Sequence, residues 1–349
     1  MVADAPRNGR DGSTGVRRIA PAVAVAEVSL TVSIDTEEDN WGSFCETGAT
    51  SENIPHLLEL HERMARWGAR PTYLVNRPPL MASASVEALG QLAARPEVEI
   101  GGHCHPWNTP PSTGGGPERS MMCGLPIAAN RGKIREVTRR IESELGVRPR
   151  TFRTGRWGFG PTVSEALSAE GYLVDSSVSP FVDWSADGGP DYSTAPHRPY
   201  RFHPARPFDP DPTGSMVEIP TTIGFTSGDH RRRASLRRAI ELSPLRRFKV
   251  LGALDKLGVL SRRWLSPETS TADDMVRIVE ACLQTGEPAL GLTFHSCTLL
   301  PGVTPFVQDA SDRARFLDAI DAVLRFCAEG RLTFRTLGEV ARLVATPTR

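Results

Sequence analysis

Short apolar runs alternate with helical patterns along almost the whole chain, and this order restricts the fold more than any other feature. Strands are predicted at 27–34, 70–75, 98–103, 150–153, 172–177, 289–294 and 331–335. Helices are predicted at 51–67, 83–95, 130–145, 162–170, 230–263, 272–284, 310–328 and 336–344. A strand followed by a helix, repeated, makes parallel βα units and an α/β fold rather than a sandwich. Seven or eight such units favour one closed or partly closed β/α barrel over an open sheet. Residues 201–203 and 217–219 read as further short strands, and 106–129 as a long Pro/Gly/Ser/Met loop of the kind used as a lid.

Composition narrows the function classes. The 349 residues carry 41 basic and 41 acidic side chains, so net charge gives no argument for nucleic acid as a partner. No run approaches the about 18 apolar residues of a membrane span. Residues 1–26 lack periodicity and a secretory apolar region, so a disordered tail is expected, with the mature protein starting at Met1 in the cytoplasm. Six cysteines without CxxC spacing suit free thiols, and Cys104 and Cys297 read as small apolar fillers. The unit expected to fold is 27–349, with 230–263 as a helical insertion holding eleven Arg or Lys against two acids. A solvated amphipathic face is the plain reading of that insertion, and docking to an anionic glycan, or to a lipid-linked sugar phosphate at the membrane surface, the sharper one.

The chemistry concentrates at strand ends. In Glu27-Val-Ser-Leu-Thr-Val-Ser-Ile34, valine, leucine and isoleucine alternate with Ser and Thr, a period of two. Continued, it puts Asp35 and Glu37 side by side on the polar face, with Asp39 next. Two such carboxylates repel and call for a positive partner, either a metal ion or basic side chains. His103-Cys-His105 follows another strand with one residue between its imidazoles, so extended backbone aims both one way. Two His and a carboxylate supply three ligands and leave a fourth position open. Zn²⁺ fits mixed N/O ligation best, with Co²⁺, Ni²⁺ and Mn²⁺ as alternatives. Arg153 could hold a carboxylate through two parallel hydrogen bonds, and His295 ends an apolar strand. The glycines of Thr154-Gly-Arg-Trp-Gly-Phe-Gly160 run GxxGxG, which argues against a dinucleotide site. Trp41, Trp107, Trp157, Phe159 and Trp184 lie in or beside these loops, either packing the barrel mouth or stacking on sugar rings. His56, His61, His197, His203 and His230 read as surface residues.

Taken in order, acid pair, His pair, Arg loop and strand-end His resemble the metal-dependent polysaccharide deacetylases of carbohydrate esterase family four, the NodB homology domain. The matching stretches are Ser33–Trp41, Gly101–Pro111, Phe152–Phe159 and Leu292–Gly302, within a similarity spanning roughly 28–345. Among these proteins the chain most resembles the WalW-like members associated with bacterial surface-polysaccharide genes. The resemblance implies a NodB-like barrel, distorted or incomplete, that removes an acetyl group, most readily N-acetyl, from an acetylated carbohydrate with a divalent metal. It implies Asp35 as catalytic base, Glu37 and His103 as metal ligands, Arg153 as the residue orienting the base, and His295 as general acid. His105 stands in for the second histidine ligand on the strand-period argument, with Asp39 or Asn108 as alternatives. This chain departs from the family form in three places: its acids are one residue apart, position 107 is Trp, and Gly155 stands where a proline is expected. A metal-dependent amidohydrolase on a small non-sugar amide and a non-catalytic carbohydrate-binding relic are the other readings.

Overall fold

The computed structural model describes residues 27–345 except 115, 227, 244–249 and 257–258, so the expected 1–26 tail lies outside the described residues. Six parallel strands follow the predicted order: β1 (Ser29–Thr36), β2 (Pro71–Val75), β3 (Glu99–Cys104), β4 (Thr151–Thr154), β5 (Val174–Asp175) and β8 (Met216–Glu218). An antiparallel pair, β6 (Tyr200–His203) and β7 (Arg206–Pro210), extends the sheet beyond β8. A separate two-stranded ladder joins β9 (Ile223–Phe225) to β10 (Arg262–Trp264). On the other side of β1 lies β11 (Ala289–His295), in parallel register from Ser29↔Ala289 to Asp35↔His295. The last strand, β12 (Thr333–Phe334), pairs with the start of β1.

The ring is only partly closed. Among the described residues no ladder joins β8 to β11. Single hydrogen bonds bridge them instead: Thr293 N–H donates to Leu265 O, and Leu265 N–H to Thr222 O. A clean eight-strand barrel does not form because β6 and β7 run antiparallel beyond β8, and β9 pairs with β10 rather than with the main sheet.

Alternation along β1 sorts its side chains by face. Val28, Leu30, Val32 and Ile34 face outward into the main apolar core beneath the helices. Each side chain so buried contributes roughly 1.5–3 kcal/mol relative to exposure. The covering helices are α1 (His56–Ala65), α2 (Ser83–Ala93), α3 (Ile127–Leu145), α4 (Pro161–Ala169), α7 (Ala272–Gln284) and α8 (Ala310–Glu329). The last helix, α9 (Leu337–Ala345), closes the bottom of the barrel, where Leu337, Val340 and Ala341 pack on Leu74, Val174 and Val217. Its first N–H groups donate to the Thr72 and Glu99 side chains at the starts of β2 and β3.

Several local expectations are corrected. Ser51 does not cap α1, which starts after Pro55; its hydroxyl meets Ser85 Oγ at 2.8 Å. His61 and His230 are buried, at 1% and 3% exposure. His61 lies between Tyr73 and Glu97, and His230 Nδ1 accepts from Phe225 N–H. The 106–111 stretch is pinned rather than free, because Lys133 Nζ donates to the carbonyls of Pro106, Thr109 and Pro111 at 2.6–2.7 Å. In the basic stretch, α5 (His230–Leu242) and α6 (Val250–Lys256) are helical, but 262–264 is strand β10. No helix among the described residues is long and apolar enough to cross a membrane.

One buried acid pair makes a stability prediction. Asp175 and Glu218 are partners in the β5–β8 ladder and fully buried. Burial pushes the Asp175 carboxyl up to about 6, and burial beside Asp175 pushes Glu218 well above the usual carboxylate range. Raised folded-state pKa values contribute stability that is fully present below the unfolded pKa and lost as pH rises through the folded one. Glu218→Gln should therefore stabilise the protein relative to wild type at pH 8 by an amount on the order of 1–3 kcal/mol, shrinking towards pH 5. Denaturant unfolding of both proteins across that range checks it, and parallel pH curves would sink the idea.

Candidate metal centre and active site

The top of the barrel gathers side chains from strand ends far apart in sequence. Asp35 and Glu37 come from the end of β1, His103 and His105 from β3, Arg153 from β4 and His295 from β11. All but Arg153 line one cavity of about 330 Å³, together with Trp41, Trp107 and Trp157.

Three donor atoms converge there. Glu37 Oε2 lies 3.4 Å from His103 Nε2 and 3.1 Å from His105 Nε2, and the two Nε2 atoms are 3.1 Å apart. The outer nitrogens fix the tautomers. His103 Nδ1 faces the Arg153 carbonyl at 2.9 Å, and a carbonyl only accepts, so that nitrogen carries the hydrogen. By the same reasoning His105 Nδ1 donates to Glu38 Oε1 at 2.8 Å. With each Nδ1 so engaged, both Nε2 atoms and a carboxylate oxygen face one point in a buried site, an arrangement that a cation between them would satisfy. Ligand bonds of 2.0–2.1 Å in a tetrahedron put neighbouring donors ~3.3 Å apart. The observed separations fit that spacing, and these three residues form the one His/Cys/Asp/Glu cluster suited to a metal among the described residues.

The residues predicted as alternatives are engaged elsewhere. Asp39 accepts from Glu52 N–H, Asn53 N–H and Asn53 Nδ2. Asn108 Nδ2 donates to Glu38 Oε1. Gly155 explains how His105 is accommodated, since a Cβ at 155 would stand 2.3 Å from His105 Cδ2.

Arg153 crosses the barrel interior from β4 and is fully buried. Its Nη1 donates to Asp35 Oδ1 at 2.7 Å and to Thr293 Oγ1 at 2.8 Å. Nη2 donates to Ser33 Oγ and Ser176 Oγ, and Nε to Ser176 O. The expected two-pronged grip on one carboxylate is thus replaced by one bond to Asp35, with the remaining donors spread over inward-facing hydroxyls and a carbonyl. Asp35 Oδ2 is left facing His295 Nε2 at 3.6 Å.

Two carboxylates were not legible in the motifs. Glu38 backs His105 and also accepts from Asn76 Nδ2 at 2.5 Å. Glu268 accepts from His295 Nδ1 at 3.0 Å, from His295 N–H at 2.9 Å and from Thr298 Oγ1 at 2.7 Å. Burial pushes the His295 imidazolium down, but Glu268, Glu37 and Asp35 outweigh it and hold its pKa up at about 10. Burial likewise opposes the His105 charge, while Glu38 and Glu37 raise its pKa to about 10. A cation entering the site must displace that proton. Cys297 is more than a filler, since its Sγ donates to Glu37 Oε1 at 3.4 Å, and burial pushes the thiol pKa well up.

The tryptophans differ. Trp107 is buried and stacks on His105 at 4.2 Å and 23°. Trp41, 37% exposed, meets His295 edge-on at 4.9 Å and Phe306 at 5.4 Å. Trp157 leans on Trp264 at 5.3 Å.

No family model matches the chain, and no curated protein matches it. Solved structures do. A protein of Mycobacterium smegmatis described as a polysaccharide deacetylase superimposes with a TM-score of 0.51 at 15% identity, over 96% of this chain and 98% of that one. A protein of Pseudomonas aeruginosa PAO1 with the same description gives 0.51 at 14% identity, over 91% and 90%. At these identities the likeness is one of fold, and it covers the whole described barrel: the chain has the α/β architecture of these two proteins.

Proposed function

We propose that this protein is a metal-dependent deacetylase that hydrolyses an acetyl group, in the first instance an N-acetyl amide, from a carbohydrate. The observation that carries the reading is the convergence of Glu37 Oε2 with the Nε2 atoms of His103 and His105, beside the buried Asp35–Arg153 pair and His295. The descriptions of the two proteins of like fold support the same substrate class, and a place in bacterial surface-polysaccharide metabolism rests on the resemblance of the motif stretches to WalW-like members. Glu37, His103 and His105 would hold a divalent cation, Zn²⁺ by ligand type, and Co²⁺, Ni²⁺ or Mn²⁺ as alternatives. Such a cation supplies Lewis-acid polarisation of the acetyl carbonyl and acidifies a water.

The chain's own residues then divide the proton work. Arg153 holds Asp35 Oδ1, leaving Oδ2 directed into the cavity to take a proton from the attacking water. His295 delivers its Nε2 proton to the departing nitrogen as the C–N bond breaks, which an amide requires because its anion is a very poor leaving group. Glu268 keeps that imidazole charged and aimed. Trp41 and Trp157 offer aromatic faces to a sugar ring, whereas Trp107 spends its face on His105.

The test is direct. Protein stripped with a chelator should release no acetate from N-acetylated sugars, and release should return when at least one of the four metals is added back. Release that survives stripping, or that no metal restores, would falsify the proposal.

A further inference from the structure

The mouth of the cavity has a shape and a charge that narrow the substrate further, on the deacetylase reading above. Its walls belong to loops that touch one another. Phe44, after β1, packs edge-on against Trp107, after β3, at 5.1 Å and 78°. Met121 and Trp184 meet around Gly189, where an added Cβ would lie 2.5 Å from Met121 Sδ and 2.8 Å from Trp184 Cβ. Trp157 leans on Trp264, and Trp41 is braced by Phe306. A groove for a continuous polymer needs two open ends. These contacts draw the loops together around a compact, half-open pocket of about 330 Å³ over the three donor atoms.

Within that pocket Arg156 is the one lining cation besides the histidines among the described residues. The cavity's other charges are committed: Asp35 to Arg153, Glu37 to the histidines, Glu38 to His105 and His295 to Glu268. Arg156 is held over the Phe44 ring at 5.1 Å and bonded to Ser120 Oγ. Its carboxylate neighbour among the described residues is Asp187 Oδ1 at 3.7 Å, on a side chain 52% exposed. So loose a surface pair is weak, whereas a guanidinium meeting a carboxylate or phosphate in a partly enclosed site forms strong charge-assisted bonds. Arg156 and Trp157 also both adopt left-handed backbone, at φ 53° and 59°, a costly conformation for non-glycine residues that tends to mark functional loops.

We infer that the site takes a single acetylated sugar ring bearing an anionic group, a carboxylate or a phosphate, and that Arg156 reads that charge. With metal-loaded enzyme, kcat/KM would be compared for a neutral N-acetylhexosamine, an N-acetylated hexosaminuronic acid, an N-acetylhexosamine phosphate and a polymer of the neutral sugar. At least a tenfold preference for one anionic monosaccharide is expected, and the two anionic arms separate carboxylate from phosphate. Arg156→Gln should collapse that preference through KM, while Arg156→Lys should retain part of it because a point charge lacks the fork. Polymer and neutral sugar cleaved as well as the anionic ones, or a preference unchanged in Arg156→Gln, would overturn the inference. A tryptophan-fluorescence titration with the deacetylated anionic sugars needs no turnover. Tighter binding by wild type than by Arg156→Gln upholds the role of Arg156 even if no acetate is released, and equal binding ends it.

Discussion

Asp35→Asn and His295→Ala are each expected to lower acetate release at least ~10²-fold, the usual contribution of a positioned acid or base. Asparagine keeps an oxygen for the 2.7 Å bond from Arg153 Nη1, so the barrel interior stays assembled while the proton acceptor is lost. Alanine at 295 removes the proton donor but leaves Glu268 its bond from Thr298 Oγ1. Neither residue is among the three that gather at the cation site, so metal content should stay near wild type in both. Circular dichroism and metal analysis of each variant separate loss of chemistry from loss of structure. A rate close to wild type in either would remove that residue from the mechanism.

The second large effect is expected on metal affinity. Glu38→Gln keeps the size of the side chain but withdraws the charge behind His105 Nδ1. Partners of this kind orient the imidazole and raise its basicity, and their loss weakens metal binding roughly 10–100-fold. Titration calorimetry with Zn²⁺ on chelator-stripped protein reads this without any substrate. Because Asn76 and Asn108 also converge on Glu38, the variant's thermal midpoint should be recorded beside the affinity. An unchanged dissociation constant would show that Glu38 only packs.

How much of this was legible in the chain depends on where regular backbone ends. The period of two along β1 carries through Asp35, and the register Asp35↔His295 follows from parallel pairing. Past Thr36 the strand stops; the alternation still places Glu37 in the site but fails from Glu38 on. Asp39, expected on the same face, turns away to hold the 52–53 turn. Glu38, which alternation would point away from Glu37, instead reaches His105. Glu268 lies in a turn 27 residues before its partner, with no periodicity to mark it. Arg153 was placed correctly at a strand end, but its partners come from β1, β11 and the end of β5, and long-range convergence of hydroxyls leaves no local signal. His61 and His230 were misread for a related reason: a polar residue whose partners are distant looks exposed in a linear pattern.

The reach of Arg153 across the interior has a kinetic consequence. Its guanidinium is satisfied only when β1, β4, β11 and the end of β5 are all in place at once. A chain that has assembled three of the four holds a buried, partly unpaired charge, a state that costs several kcal/mol. The step that completes the barrel should therefore be the same step that positions Asp35, and partly assembled forms should be poorly populated.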